Sequence, residues 1–303
     1  MTTAILAPGD PAYPALLAVV PWATTLWVRG EVLPADALAV AIVGSRRASA
    51  YGEEAAERLA YDLASRGVTI VSGMARGIDT AAHHGALAAR GRTLAVLGCG
   101  VDVVYPPENR ALAAAIEARG ALLSQFPPGT PPLAGHFPAR NRTLAGLALG
   151  VVVVEAAERS GALITAGHAG DLGREVFAVP GKITSLASRG AHGLIRDGAT
   201  LVQSWSEVAQ ELPEPYRSAI GAAPLPGGPV VETATGPAPG SEPARLLELL
   251  SADEPQHIER LIARSGVDAA RTSAMLTALE LEGWARQLGG QRWIAAGARA
   301  RRG

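Results

Sequence analysis

AVAIVGSRRASAYG, residues 39–52, is a short uninterrupted apolar run that stops at a glycine, followed by two arginines and the start of an Ala-rich segment. An apolar run of this length bounded by a turn signal reads as a strand buried on both faces. Runs of the same kind recur at Val68–Val71, Thr93–Leu97, Ala121–Leu123, Val151–Val154 and Glu175–Val179. Between them lie segments with helical spacing, such as Glu53–Arg66 and Ile78–Arg90. Short strands alternating with helices predict βαβ units around a parallel sheet, an α/β fold.

The pattern fills residues 39–212, with residues 1–38 expected as an N-terminal extension packed on that core. It breaks at residues 213–240, which hold seven prolines and five glycines without periodicity and read as a linker. Beyond it, residues 241–303 form a compact pattern. SEPARLLELL, HIERLIARS and DAARTSAMLTALELEG have helical spacing, and WARQLGGQRWIA places two short strands around Gly289–Gly290. Three helices followed by a hairpin predict a small winged-helix-like domain.

A chain of 303 residues is too long for one ordinary core, so more than one domain is expected. Apolar residues make up 48% and charged residues 18%, a globular composition. The net charge of −1 supplies no global attraction for nucleic acid, but binding follows local charge, and GSRRASAYG holds Arg46 and Arg47 with no acid beside them. The single cysteine, Cys99, allows no disulfide within the chain, which suits a reducing cytosol. The N-terminus has no basic, apolar leader pattern. The longest apolar run, near Leu144–Val154, falls short of the roughly 18 residues of a membrane span. A soluble cytoplasmic protein without membrane contact is the expectation.

In an open α/β sheet, ligands bind outside the carboxyl ends of the strands. The loops there are rich in Gly and Arg. In GSRRASAYG, Gly44 and Ser45 permit a tight turn, backbone N–H groups of the following helix can meet a phosphate, and Arg46 can add a bidentate contact. The same residues also suit a strand-to-helix turn with solvated arginines. The spacing is not GxGxxG, so a dinucleotide cradle is poorly supported. SGMARGIDTAAHHGAL, residues 72–87, places Arg76 between two glycines. Asp79 and His83 in it are better read as a helix cap and a structural hydrogen bond than as a catalytic pair or metal site. In GCGVDVVYPPEN, residues 98–109, Asp102 and Tyr105 shape a turn, and Cys99 reads as a small buried thiol. ERSGALITAGHAG, residues 158–170, sets Ser160 and Gly161 where a helix start can face an anion or simply be capped, and VPGKITSL adds Lys182 at another strand end. HFPARNRTLAG, residues 136–146, gathers Phe137, Arg140, Asn141 and Arg142 ahead of the VVVV strand. Two guanidiniums beside an aromatic at a sheet rim point to an anionic ligand. Cations with aromatic platforms hold single strands without sequence choice. With five Trp, five Tyr and three Phe in the chain, phosphate contacts should outweigh stacking.

Taken together, DPAYPALL, AIVGSR, IVSGMARGID, AVLGCGVDVVYPPEN, FPARNRTLAG, VVVVEAAERSGALITAGHA and VFAVPG resemble, in order, the blocks of the DNA-processing protein A (DprA, also called Smf) family. The resemblance covers about residues 8–203 and the winged-helix tail. It implies an extended Rossmann core that binds single-stranded DNA, forms dimers and loads RecA recombinase onto DNA in natural transformation, with no enzymatic activity and no cofactor. By position it makes Arg46, Phe137, Ser160, Gly161 and Lys182 strand contacts, and Arg140, Asn141 and Arg142 the family's Arg-Asn-Arg block. Where that family reads serine–glutamate, this chain has Ser124–Gln125.

Two other function classes compete. A nucleotide-processing enzyme of the phosphoribohydrolase kind would need a PGGxGT loop, but the PGG here, Pro226–Gly228, lies in the linker and precedes Pro229. A winged-helix regulator with a ligand-sensing core would need base readout, for which Arg271, Thr272 and Ser273 are a thin set.

Overall fold

The computed structural model describes residues 3–221, 237, 240–251, 255–281, 284–288 and 291–295, which fall into two compact units, Met1–Gly227 and Gly228–Gly303. The first unit runs β1 (Ala4–Leu6), α1 (Ala15–Ala18), β2 (Leu26–Gly30), β3 (Ala39–Val43), α2 (Ala50–Ala64), β4 (Thr69–Ser72), α3 (Ile78–Ala88), β5 (Thr93–Leu97), α4 (Arg110–Arg119), β6 (Ala121–Ser124), α5 (His136–Gly146), β7 (Gly150–Val153), α6 (Gly161–Asp171), β8 (Glu175–Ala178), α7 (Arg189–Arg196), β9 (Thr200–Leu201), α8 (Trp205–Glu211) and α9 (Tyr216–Ala219).

Its strands form one sheet in the order β1-β2-β6-β5-β4-β3-β7-β8-β9. The six strands read from the sequence are all present and pair in parallel, with each boundary within one residue. They are largely apolar because both faces are covered, and the polar Thr69, Ser72, Thr93 and Ser124 stand at their ends. Alternate side chains of a strand point to opposite faces. Ala39, Ala41 and Val43 of β3 and Val151 and Val153 of β7 therefore enter one core with α1, α5 and α6. Val40, Ile42 and Val152 enter the other with α2, α3 and α8. Residues 1–38 do more than pack on the core. β2 pairs antiparallel with β6, and β1 with β2, so the extension continues the sheet. The strand order reverses between β3 and β7, where consecutive crossovers leave in opposite directions.

The second unit has α10 (Glu242–Glu248), β10 (Gln256–His257), α11 (Ile258–Ser265), α12 (Ala269–Leu281), β11 (Ala285–Leu288) and β12 (Arg292–Ala295). The three helices and the antiparallel β11–β12 pair match the expected winged-helix order, and the two-residue β10 joins β12 as a third strand. Leu246, Leu261, Leu276, Leu279 and Trp293 form its core. Gly289–Gly290, expected at the hairpin turn, lie outside the described residues. Among the described residues no helix is long and apolar enough to cross a membrane.

The ordered core continues past Leu212. Tyr216 and Ile220 pack against the core that contains Leu212, and the Gly221 N–H donates to the Arg66 carbonyl at 2.9 Å. The Arg66 guanidinium lies 3.8 Å from the Trp205 ring centroid. Residues 213–221 therefore belong to the first unit, whereas the expectation placed the whole of 213–240 in the linker. Residues 222–236 and 238–239 of that segment lie outside the described residues. The reason is local: Tyr216 and Ile220 are the large apolar residues in the first part of the Pro/Gly stretch, and burying them outweighs the stretch's composition. A fragment of residues 1–221 should then be more stable to urea than one of residues 1–212, by roughly 1–3 kcal/mol for the two partly buried side chains. Equal midpoints and slopes for the two fragments would contradict this packing.

Candidate nucleic-acid interface

The reversal at β3 and β7 opens a groove of about 440 Å³ on the carboxyl side of the sheet. Gly44, Ser45, Arg46, Arg47, Phe137, Arg140, Asn141, Ser160 and Gly161 all line it. Arg159, which sequence reading passed over although it precedes Ser160, lines it as well.

The loop after β3 is held from two sides. A Cβ on Gly44 would stand 2.6 Å from Ile78 Cγ1 and 2.9 Å from the Glu155 carbonyl oxygen, so only glycine fits. The Ile78 N–H donates to the Ser45 carbonyl at 3.2 Å, and the Arg47 N–H donates to Ser45 Oγ at 3.1 Å. Gly77, at φ 71°, lets α3 approach the Ser45 carbonyl closely. Arg46 and Arg47 are exposed. At the N-terminus of α2 the cap residue is held within the protein, on Glu155, while Ala50 and Tyr51 in the first turn are exposed. The Ser49 N–H donates to Glu155 Oε2 at 2.9 Å and Ser49 Oγ donates to Glu155 Oε1 at 2.6 Å, while Ser49 Oγ accepts from the Gly52 N–H at 3.1 Å.

The N-terminus of α6 differs. Ser160 Oγ accepts from the Ala162 N–H at 3.3 Å, and Asn141 Nδ2 donates to the Gly161 carbonyl at 3.2 Å. Gly161 itself is exposed, and its N–H has no protein acceptor among the described residues. A helix start with a free N–H is suited to an anion.

HFPARNRTLAG forms α5, which starts at the rim and runs down the sheet face. Two positions apart on a helix lie on different sides, and this splits the arginines. Arg140 is only 4% exposed, and its Nη1 donates to the Gly73 and Val96 carbonyls at 2.6 and 2.5 Å. Its guanidinium forms part of the groove floor, with Nε buried and unpartnered among the described residues. Asp79, also buried, is its electrostatic counterpart. Burial raises the Asp79 carboxyl above its ordinary pKa while Arg140 opposes the shift. Arg142 points away from the groove and lies 4.2 Å from the Trp22 ring centroid. The expectation that both arginines approach one phosphate path is thus corrected by helical geometry.

Phe137 sits at the groove edge with the Arg46 guanidinium carbon 4.9 Å from its ring centroid and the Tyr105 ring 6.0 Å away, tilted. Its ring packs on Gly98, where a Cβ would be 3.0 Å from a ring carbon. His136 stacks on Phe126 at 4.1 Å and contacts the Gly98 carbonyl through Nδ1 at 3.2 Å. These contacts, invisible as spacing, fix the start of α5. Arg76 lies in an adjoining cavity of about 20 Å³ and is ion-paired with Glu108. Lys182 is exposed after β8 and does not line the groove.

His83 and Cys99 are structural, as read. His83 is fully buried with Nδ1 2.7 Å from Thr93 Oγ1, and burial pulls its pKa down to about 3. Burial pushes the Cys99 thiol up to about 11. Asp102 accepts from the Gly129 N–H at 2.8 Å, shaping its turn. Among the described residues no group of three His, Cys, Asp or Glu side chains is placed for a metal ion.

Arg140→Ala removes a buried cation that donates to the Gly73 and Val96 carbonyls and offsets the buried Asp79 charge. It should destabilise the first unit by roughly 3–5 kcal/mol, whereas Arg47→Ala, on an exposed side chain, should stay within about 0.5 kcal/mol of the parent. Denaturant unfolding of the two variants checks the contrast.

Comparison with known proteins agrees with this architecture. Residues 4–213 match the family described as DNA recombination-mediator protein A, and residues 231–291 match the DprA winged helix domain. Protein Smf of Escherichia coli (strain K12) is 42% identical over 284 residues, covering 92% of this chain and 74% of that protein. The X-ray structure of DNA processing protein A from Streptococcus pneumoniae superposes with a TM-score of 0.66 at 44% identity, over 70% of this chain and 75% of that one. DNA processing protein A from Helicobacter pylori, whose structure concerns its single-stranded DNA binding mode, gives a TM-score of 0.59 at 29% identity, over 68% of this chain and 93% of that one. A match that spans the sheet from β1 to the end of α8, and is joined by one across the three-helix domain, assigns the chain: it belongs to the DNA recombination-mediator protein A family, whose members act in DNA processing and recombination.

Proposed function

We propose that this protein binds single-stranded DNA in the groove between β3 and β7 and, as a cytoplasmic homodimer, helps load RecA recombinase onto that strand. The observation that carries the reading is the convergence of the Arg46, Arg47 and Arg159 cations, the Phe137 ring and the free Gly161 N–H on one groove. A phosphodiester backbone meets the arginines and the start of α6, and a base meets the Phe137 ring. Gly44 and Ser45 shape the loop, Ser160 caps α6, and Arg140 with Asn141 hold the floor. Lys182 is an exposed cation beyond the lining and meets a flanking nucleotide, while Arg76 is engaged by Glu108 and Arg142 by Trp22. The relative from Helicobacter pylori, known for its single-stranded DNA binding mode, supports the ligand class.

The reading is non-enzymatic. A thiol raised to about 11 is a poor nucleophile and an imidazole lowered to about 3 a poor base at neutral pH. Release of free base from nucleoside monophosphates by the purified protein would overturn this part.

Fluorescence anisotropy with short oligonucleotides tests the groove. Single strands should bind more tightly than duplex, with little sequence preference. Arg46→Ala should weaken binding similarly for all single-stranded sequences and reduce the slope of log affinity against log salt by roughly 0.7, one phosphate contact. Arg46→Lys should restore part of the affinity, since an ammonium lacks the bidentate fork. Arg47→Ala should have a smaller effect. If both alanine variants bind like the parent at low and high salt, the strand does not pass this loop.

A further inference from the structure

Glu155 follows the β7 strand directly after Val154, at the reversal point, and is 3% exposed. A buried carboxylate needs compensation, and among the described residues no Lys, Arg or His lies within ion-pair distance of it. Its partners are the first groups of α2. The Ser49 N–H and the Ser49 hydroxyl each donate to one carboxylate oxygen, at 2.9 and 2.6 Å. A Cβ on Gly52, in the first turn of that helix, would stand 2.5 Å from Glu155 Oε2, so glycine there admits the carboxylate. The charge is thus held by the helix N-terminus and by charge-assisted hydrogen bonds.

This is the place where an open α/β sheet offers a helix start to a ligand's phosphate, beside the reversal of strand order. Here an internal anion is already held on the cap residue of that helix. Two consequences follow from the geometry. The loop between β3 and α2 is pinned at both ends, at Ser45 by the Ile78 N–H and at Ser49 by Glu155, with Arg46 and Arg47 on the short stretch between. A phosphate entering the groove is repelled by Glu155 from the start of α2, whereas no carboxylate is hydrogen-bonded at the start of α6 among the described residues, where the Gly161 N–H is free.

We propose that Glu155 is a positioning residue for strand binding: as an internal anion on the N-terminus of α2 it fixes the loop that presents Arg46 and steers the strand's phosphate to the N-terminus of α6. The inference rests on the strand-binding reading above. The test is a double-mutant cycle in the full chain, read by anisotropy with a labelled single-stranded oligonucleotide across a salt series, with melting temperatures measured in parallel. Glu155→Gln keeps the shape and removes the charge. It should lower affinity by about the factor that Arg46→Ala does and lower the salt slope by the same roughly 0.7. Arg46→Ala added to Glu155→Gln should then cause little further loss. Ser49→Ala, on the surface, should act in the same direction and replaces Glu155→Gln in the cycle if that variant does not fold. Parent-like affinity of the folded variant, or a loss that adds fully to that of Arg46→Ala with the slope unchanged, overturns the proposal while leaving the strand reading intact. If Arg46→Ala alone leaves binding unchanged, the groove reading fails and this inference fails with it.

Discussion

The burial of β3 and β7 on both faces is the constraint from which the rest of this structure follows. Strands covered on both sides admit almost nothing polar along their length, so the chain can place charge only where they end. β3 gives way at Gly44 to Ser45, Arg46 and Arg47, and β7 gives way after Val154 to Glu155 and then to Arg159 and Ser160. Because the two strands are neighbours in register, Val43 beside Val153, their ends come level and their polar loops face each other. The groove is the space left where the crossovers from these two strands depart in opposite directions.

Arg140 shows how the sheet interior and the groove are joined. Its guanidinium satisfies the Gly73 and Val96 carbonyls at the ends of β4 and β5 and balances Asp79 from below. It thereby lends positive potential to the groove floor without being free to follow a ligand. A cation that ties the end of β4 to β5 and faces Asp79 of α3 cannot be replaced by one that only attracts phosphate, because removing it takes a donor from two buried carbonyls and the compensating charge from a buried acid. The exposed arginines at the rim carry no such burden, so affinity and stability are divided between different residues.

The parallel strands were legible because burial on both faces writes itself as uninterrupted apolar runs, and a run has clear ends. β1, β9 and the two-residue β10 were not, since edge and very short strands carry mixed residues that read as loop, and β2 is cut short as an apolar run by Arg29 and Gly30. Residues 213–221 were read as linker because Pro and Gly dominate the composition while Tyr216 and Ile220 do the packing. At the candidate site, the loops and most of the residues could be picked from Gly and Arg at strand ends. What spacing could not show was direction. Arg140 and Arg142 look equivalent in FPARNR until α5 turns one inward and the other onto Trp22. Glu155, just past the VVVV run, was not singled out, although a carboxylate at the end of a core strand beside a Ser-capped helix is a signal that could have been followed.

A near-neutral chain can hold a polyanion only if its charges are sorted, and the structure sorts them by pairing. Arg29, Arg92, Arg76 and Arg217 are each tied to a carboxylate, so their fields are largely cancelled at a distance. Arg46, Arg47 and Arg159 have no ion-pair partner among the described residues, and all three lie on the same groove. Arg46 also covers the Phe137 ring. A base stacking on that ring must take the place of the guanidinium, and a guanidinium leaving the ring is free to turn to a phosphate. Stacking and phosphate contact at this point are then two halves of one exchange, which suits a strand held by its backbone, whatever its sequence.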